Sequence, residues 1–356
     1  MDNIFSICGK NVGKGEPTYV IAEVAWSHDG ELQKAKKIVK GAIDAEADAI
    51  CFHLTSMENY MVKDYHVPGS GASSAADAKS LYDFLVGKNL SDSDWKELFS
   101  QTKSGGLHVL IMANDEASFN LAQGLNTDGY VIAPATMGEF DLLRKISNSG
   151  KPLFIRTGGA TLLEIERTIK IAKDSGNKNI ILIHGFQSFP TSLEEMNLHL
   201  IESMKKKFDI PVGFADHTDG GSSMALTIPL VAIGAGADLI EKHLTHDRSL
   251  KGIDFESALN PDDLSKLIEN IHEIDKSLGS AEWKQLSDKE NRYREVVRKH
   301  IVASRDIKQG EEITREAVAF KRANGGFYAE EINSVIGKKA KMSIRKDDEI
   351  RESTII

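Results

Sequence analysis

Cysteine is nearly absent from this chain: Cys8 and Cys51 are the only two, and they stand in no metal-binding or redox spacing. There is no disulfide framework to build on, and the usage suits a reducing cytoplasm. Prolines number 8, too few for long disordered linkers. No apolar run approaches the roughly 20 residues of a membrane span, and the opening MDNIFSICGK lacks a basic segment ahead of an apolar core. The expected location is therefore the cytoplasm, with no membrane partner. Basic residues are not in excess either. The 44 Lys and Arg against 53 Asp and Glu give a net charge of −9 spread along the sequence, which argues against a general affinity for nucleic acid. Lys205-Lys206-Lys207 reads as a solvated helix face. No glycine-rich dinucleotide fingerprint follows the first strand.

What is present is an alternation of strands and helices. The 356 residues, 41% hydrophobic and 27% charged, suffice for one large α/β domain and a small one. Residues 19–24 form an apolar, β-branched run that stops at the Asp29-Gly30 turn, and residues 31–45 carry apolar side chains at helical spacing. Further strands are expected at 48–54, 107–112, 129–133, 152–156 and 179–184, with two more ending at Ala215 and His243. Helices are expected between them, at 95–104, 116–125, 138–149 and 161–174. A long polar excursion, 55–77, follows the second strand. Eight strand–helix pairs in about 280 residues predict an α/β TIM (β/α)8 barrel over 1–282, with a doubly wound open sheet as the rival. A charged connector (283–299) then leads to a small, mostly β module (300–356) that is marginal alone and needs something to dock on.

The chemistry gathers at the strand ends. Residues 213–256 read as a βαβ unit whose two strands end in Asp216-His217 and Glu241-Lys242-His243. Parallel strands place those ends side by side on the face where barrels keep their catalytic groups. Two neutral imidazoles on neighbouring strands suit a Mn²⁺- or Zn²⁺-like Lewis acid, with positions left for water and substrate. Each histidine alone would read as a hydrogen-bonded structural residue. Glu241 shares a face with His243 while Lys242 points the other way; Glu241 either orients a ligand or pairs with a base inside the barrel. Glu23, His53, Arg156, His184, Gln187 and Asp254 are the other strand-end candidates. A carboxylate inside a barrel is costly unless paired or used, which makes Glu23 a candidate for proton handling or sugar binding. A buried Arg156 needs an anion, and Gly158-Gly159 after it form either an amide nest for that anion or a simple tight turn.

These motifs carry a resemblance. Ile21-Ala22-Glu23 with His28-Asp29-Gly30, Gly213-Phe214-Ala215-Asp216-His217-Thr218, Glu241-Lys242-His243-Leu244-Thr245 and Ser257-Ala258-Leu259 before Asn260-Pro261 resemble the sialic acid synthase (N-acetylneuraminate synthase) family, which includes legionaminate and pseudaminate synthases and the spore-coat polysaccharide protein E group. The tail from Ile301 resembles the antifreeze-like (SAF) domain of those enzymes. The resemblance implies a transferase that condenses phosphoenolpyruvate with a 2-acetamido sugar aldehyde to give a nonulosonic acid and phosphate. It also implies a divalent metal, manganese first with magnesium or zinc as alternatives, on His217 and His243. Catalytic roles fall by the same resemblance to Glu23 and Glu241, and substrate contacts to Asp254 and Arg322. His53, Arg156 and Gln187 are carried as further substrate-binding candidates. A domain-swapped homodimer is implied, with Arg322 reaching the sugar of the other subunit.

The chain also departs from the family pattern, which has lysine at Cys51 and Val131, glutamine at His53, threonine near Met112 and serine at Pro134, Arg156 and Ala215, with asparagine at Gln187 and tyrosine at Phe189. Most of the missing groups serve phosphoenolpyruvate, and each lost charge-assisted bond is worth roughly 1.5–3 kcal/mol. Arg156 alone would have to replace them. Two alternatives follow: a metal-dependent aldolase or lyase using an unphosphorylated 2-oxo acid, and a catalytically inactive sugar-binding homologue.

Overall fold

The computed structural model describes residues 5–65, 81–279, 283 and 285–356. The chain divides into two units, Met1–Gly279 and Ser280–Ile356. A hairpin opens the first, β1 (Phe5–Ile7) pairing antiparallel with β2 (Lys10–Val12). Eight parallel strands follow: β3 (Tyr19–Ala25), β4 (Ala49–Leu54), β5 (His108–Ala113), β6 (Gly129–Ile132), β7 (Leu153–Arg156), β8 (Ile180–His184), β9 (Val212–Asp216) and β10 (Leu239–His243). They close in sequence order, β10 returning to pair with β3. This is a TIM barrel, and the open sheet is ruled out.

The period-two rule explains the interior. Tyr19, Ile21, Ala49, Cys51, Leu110, Met112, Val131, Phe154, Ile181, Ile183, Ala215 and Leu239 form one buried cluster inside the barrel. The alternate residues, such as Val20, Ala22, Ile50, Phe52, Leu182 and Ile240, pack outward in a second cluster with the helices. Phe5, Ile7 and Val12 of the hairpin belong to the inner cluster, with the Phe5 ring edge-on to Phe154 at 5.0 Å. The hairpin therefore seals the amino-terminal end and leaves the carboxyl end for chemistry. The sequence pattern gave no sign of this plug, because two three-residue strands carry too little periodicity to register.

The excursion at 55–77 begins with a short helix, Met57–Tyr60; residues 66–77 of it lie outside the described residues. In the second unit, β11 (His300–Ala303) pairs antiparallel with β12 (Val318–Lys321) over a core that includes Ile301, Ile307, Ile313, Val335 and Ile350. Within the charged connector Asp288–Val297 is a helix, capped by reciprocal hydrogen bonds between Ser287 and Glu290, and it buries none of its residues. Among the described residues no helix is long and apolar enough to cross a membrane.

Candidate active site

The two histidines meet as their strand positions require. His217 follows β9, His243 ends β10, both are buried, and their ring centroids lie 5.2 Å apart. The Phe189 ring covers them at 4.5 and 5.5 Å. His217 Nδ1 lies 2.7 Å from the Phe186 carbonyl oxygen. A carbonyl only accepts, so Nδ1 carries the proton and Nε2 keeps its lone pair. His243 Nδ1 is buried with no hydrogen-bond partner among the described residues. Burial holds both rings neutral, lowering His217 to about 4 and His243 well below its ordinary value. The pair thus offers lone pairs in a dry setting, as an open divalent-metal site with two protein ligands would require. Among the described residues no set of three or more His, Cys, Asp or Glu forms a cage. Any remaining coordination positions would fall to water and substrate oxygens.

The loop carrying His217 is fixed from behind. Lys242, on the outer side of β10, is fully buried and lies 2.7 Å from Asp216 Oδ2, while Asp216 Oδ1 accepts from the Thr218 amide at 2.9 Å. The His217 carbonyl accepts from Ser257 Oγ and from the Thr191 amide, both at 2.9 Å. Reading Lys242 as pointing away from Glu241 and His243 was correct, yet its partner, one strand over, was not visible in the sequence.

Inside the barrel His243, Glu23 and Cys51 stand in register on β10, β3 and β4. A bulge between Glu23 and Ala25 shifts the register, and the Ala25 amide donates to Glu23 Oε1 at 2.9 Å. Arg156 spans the barrel from β7. Its Nη2 pairs with Glu23 Oε2 and lies 2.8 Å from Glu241 Oε1, and its Nε donates to Glu241 Oε2 at 3.3 Å. The anion that this guanidinium needs is supplied by the chain itself. Nη2 and Nε of Arg156, expected to meet a substrate anion, are engaged here by two buried carboxyl groups. Burial pushes Glu23 upward, but Arg156 and His53 outweigh it and hold the carboxyl well below the usual range. Glu241 is raised by burial, which Arg156 only partly offsets and the nearby Glu23 charge reinforces. Two carboxyls with opposed shifts are the pattern expected of a base and an acid.

His53 Nε2 lies 3.0 Å from Glu23 Oε1. His53 and Asp254 both line a cavity of about 790 Å³ on the β3–β6 side of the rim, and burial pushes Asp254 up to about 6. Gln187 is exposed and packs over Gly158, not in that cavity. Gly158-Gly159 form a turn whose flanking Thr157 and Ala160 amides are taken by the carbonyls of Ile183 and Thr157. His184 points outward and its Nε2 is 2.8 Å from the Met196 carbonyl oxygen, a structural bond. Arg322 sits exposed in the second unit, beside a cavity of about 580 Å³ lined also by His300 and Tyr328. The sequence reading missed the Asp216–Lys242 pair and the bulge; Phe189 was noted only as a departure from tyrosine.

A closed parallel barrel with paired imidazoles and carboxylates at its carboxyl rim, followed by a small antiparallel unit, defines a TIM-barrel protein with a SAF domain. The chain belongs to the NeuB family: that family's model matches residues 38–283, and the SAF domain model matches residues 298–356. It is 32% identical over 339 residues to an N,N'-diacetyllegionaminic acid synthase of Campylobacter jejuni, covering 94% of this chain and 99% of that protein. It is 27% identical over 354 residues to the N-acetylneuraminate-9-phosphate synthase of Mus musculus, covering 98% and 95%. The solved N-acetylneuraminic acid synthetase of Leptospira borgpetersenii superposes with a TM-score of 0.71 at 26% identity, covering 83% of this chain and 97% of that one.

Proposed function

We propose that this chain is a metal-dependent nonulosonic acid synthase, acting in the cytoplasm, that joins phosphoenolpyruvate to a 2-acetamido sugar aldehyde. The observation that carries the reading is the facing pair His217 and His243, neutral, buried and each with an unused lone pair. A divalent cation held there, manganese first and magnesium or zinc as alternatives, would polarise the aldehyde carbonyl. Carbon 3 of the enol then bonds to the aldehyde carbon, whose oxygen gains a proton and becomes a hydroxyl. Water adds at carbon 2, the bond from carbon 2 to the phosphate oxygen breaks, and a 2-keto acid and inorganic phosphate leave. Glu241, on the same face of β10 as His243 and protonated to higher pH than Glu23, is the donor for the new hydroxyl. Glu23, kept ionised, orients water or a sugar hydroxyl and holds His53 at the cavity edge. Phe189 excludes bulk water from the rings. The reading includes a homodimer in which Arg322 of the partner subunit meets the acceptor.

A second reading, an aldolase using an unphosphorylated 2-oxo acid, is favoured by one observation. Arg156 is committed to Glu23 and Glu241, and Cys51, Met112 and Val131 line an apolar barrel interior. Phosphate release with Mn²⁺, phosphoenolpyruvate and a panel of 2-acetamido aldoses separates the two. The first reading expects metal-dependent phosphate that falls at least roughly 100-fold in His217→Ala, with metal affinity falling alongside. No phosphate from any aldose, together with metal-dependent exchange of pyruvate methyl protons in deuterated water, would favour the second.

A further inference from the structure

The loop that follows β8 carries the Phe186 carbonyl, which fixes the tautomer of His217, and Phe189, which covers the two imidazoles. Burial does little to hold the start of that loop. Phe186 is 39% exposed and Gln187 is exposed as well, whereas Thr191 at its far end is buried. A carbonyl on an exposed loop drifts unless it is tied down, and a ring bonded to it turns with it. The ties converge on Thr191. Its hydroxyl proton is shared between the Ser188 carbonyl oxygen at 2.8 Å and the Phe186 carbonyl oxygen at 3.2 Å. The Phe186 oxygen has two lone pairs, so it accepts from His217 Nδ1 and from the Thr191 hydroxyl together. The Thr191 amide donates at 2.9 Å to the His217 carbonyl, just past the neighbouring strand β9. One residue therefore grips His217 twice, at its main chain directly and at its ring through Phe186.

We propose that Thr191 is a positioning residue for His217: its hydroxyl aims the Phe186 carbonyl at Nδ1 and so fixes the direction of the Nε2 lone pair. The inference rests on the metal site proposed above, and Thr191 acts on that site through Phe186. Serine at this position keeps the hydroxyl. Valine, of nearly the same shape, sets a methyl against two carbonyls and leaves them without their donor. The imidazole is then free to turn and to exchange its proton between the two nitrogens, which withdraws the Nε2 lone pair for part of the time.

Two measurements on the full chain test it: Mn²⁺ affinity, read from the paramagnetic resonance of the free ion, and nitrogen-15 spectra of histidine-labelled, metal-free protein. His217→Ala assigns the ring signals and calibrates the affinity. Thr191→Val should bind Mn²⁺ about tenfold more weakly than wild type, the low end of what a lost outer-shell partner costs, and Thr191→Ser should stay within about twofold. In metal-free protein His217 should show the single Nδ1–H tautomer in wild type and Thr191→Ser, and a mixture in Thr191→Val. Thr191→Ala removes the hydroxyl without adding a methyl and should behave as Thr191→Val, which covers the case in which valine does not fold. Wild-type affinity and a single tautomer in the valine and alanine proteins would overturn the inference, even if their thermal stability fell. Thr191→Ser as weak as Thr191→Val would overturn it too, because the hydroxyl would then not be what matters. Equal Mn²⁺ binding by wild type and His217→Ala would remove the proposed metal site, while the tautomer change in Thr191→Val would still leave Thr191 as the residue that orients the ring.

Discussion

Replacing Arg156 by methionine should destabilise the barrel far more than it alters donor binding. The guanidinium is 9% exposed and its partners Glu23 and Glu241 are 0% and 1% exposed, so all three groups lie out of water. Methionine keeps the length of the stem and removes the cation, leaving two buried carboxyls facing each other. Breaking such a group by removing one partner costs about 3–5 kcal/mol. For a unit this large that corresponds to a fall in Tm of about 6–10 °C, at about 2 °C per kcal/mol. Part of the loss is the charge left behind, so Glu23→Gln in the Arg156→Met background should recover about 1–3 kcal/mol. Thermal and urea unfolding of the wild type, both single variants and the double variant provide the cycle, with KM for phosphoenolpyruvate measured on each folded protein. A stability within about 1 kcal/mol of wild type, with KM raised at least tenfold, would refute the reasoning. Arg156 would then serve a substrate anion and the carboxylates would not depend on it.

Three further outcomes are expected. Lys242→Met leaves Asp216 buried and unpaired and should cost about 3–5 kcal/mol in urea unfolding; adding Asp216→Asn, which keeps the acceptor for the Thr218 amide, should restore at least about 1 kcal/mol. Asp254 is raised from 3.8 to about 6 by burial, so the fold favours its protonated form. Its contribution is full below the ordinary value and declines as pH rises through about 6. Asp254→Asn should therefore match wild type near pH 4 and exceed it by roughly 2–3 kcal/mol at pH 8, and a difference independent of pH would contradict the shift. Gly158→Ala should cost about 1–3 kcal/mol in unfolding midpoints, because the added Cβ overlaps the Gly185 carbonyl oxygen and presses on Gln187.

The barrel was legible because each of its parts is a local signal. Runs such as Tyr19 to Val24 or Ile180 to His184 declare strands by their own apolar side chains, and turns such as Asp29-Gly30 mark where they end. The same two-residue period placed Glu241 and His243 on one face of β10 and Lys242 on the other. Adjacency of the two histidines followed from parallel strands joined by one helix.

The sequence by itself determined the order of strands, the face each side chain takes and the rim where the imidazoles meet. Only the tertiary structure decided who pairs with whom across the barrel. Arg156 and Glu23 are 133 residues apart and come together because closure sets β7 opposite β3. Periodicity reports which way a side chain points, not what stands at the far side of a closed ring, so the reading of Glu241 as pairing with a base inside the barrel agrees with the structure but could not name Arg156 as that base or Glu23 as its other partner. The hairpin plug was decided in the same way, by the shape of the barrel floor that Phe5, Ile7 and Val12 fill.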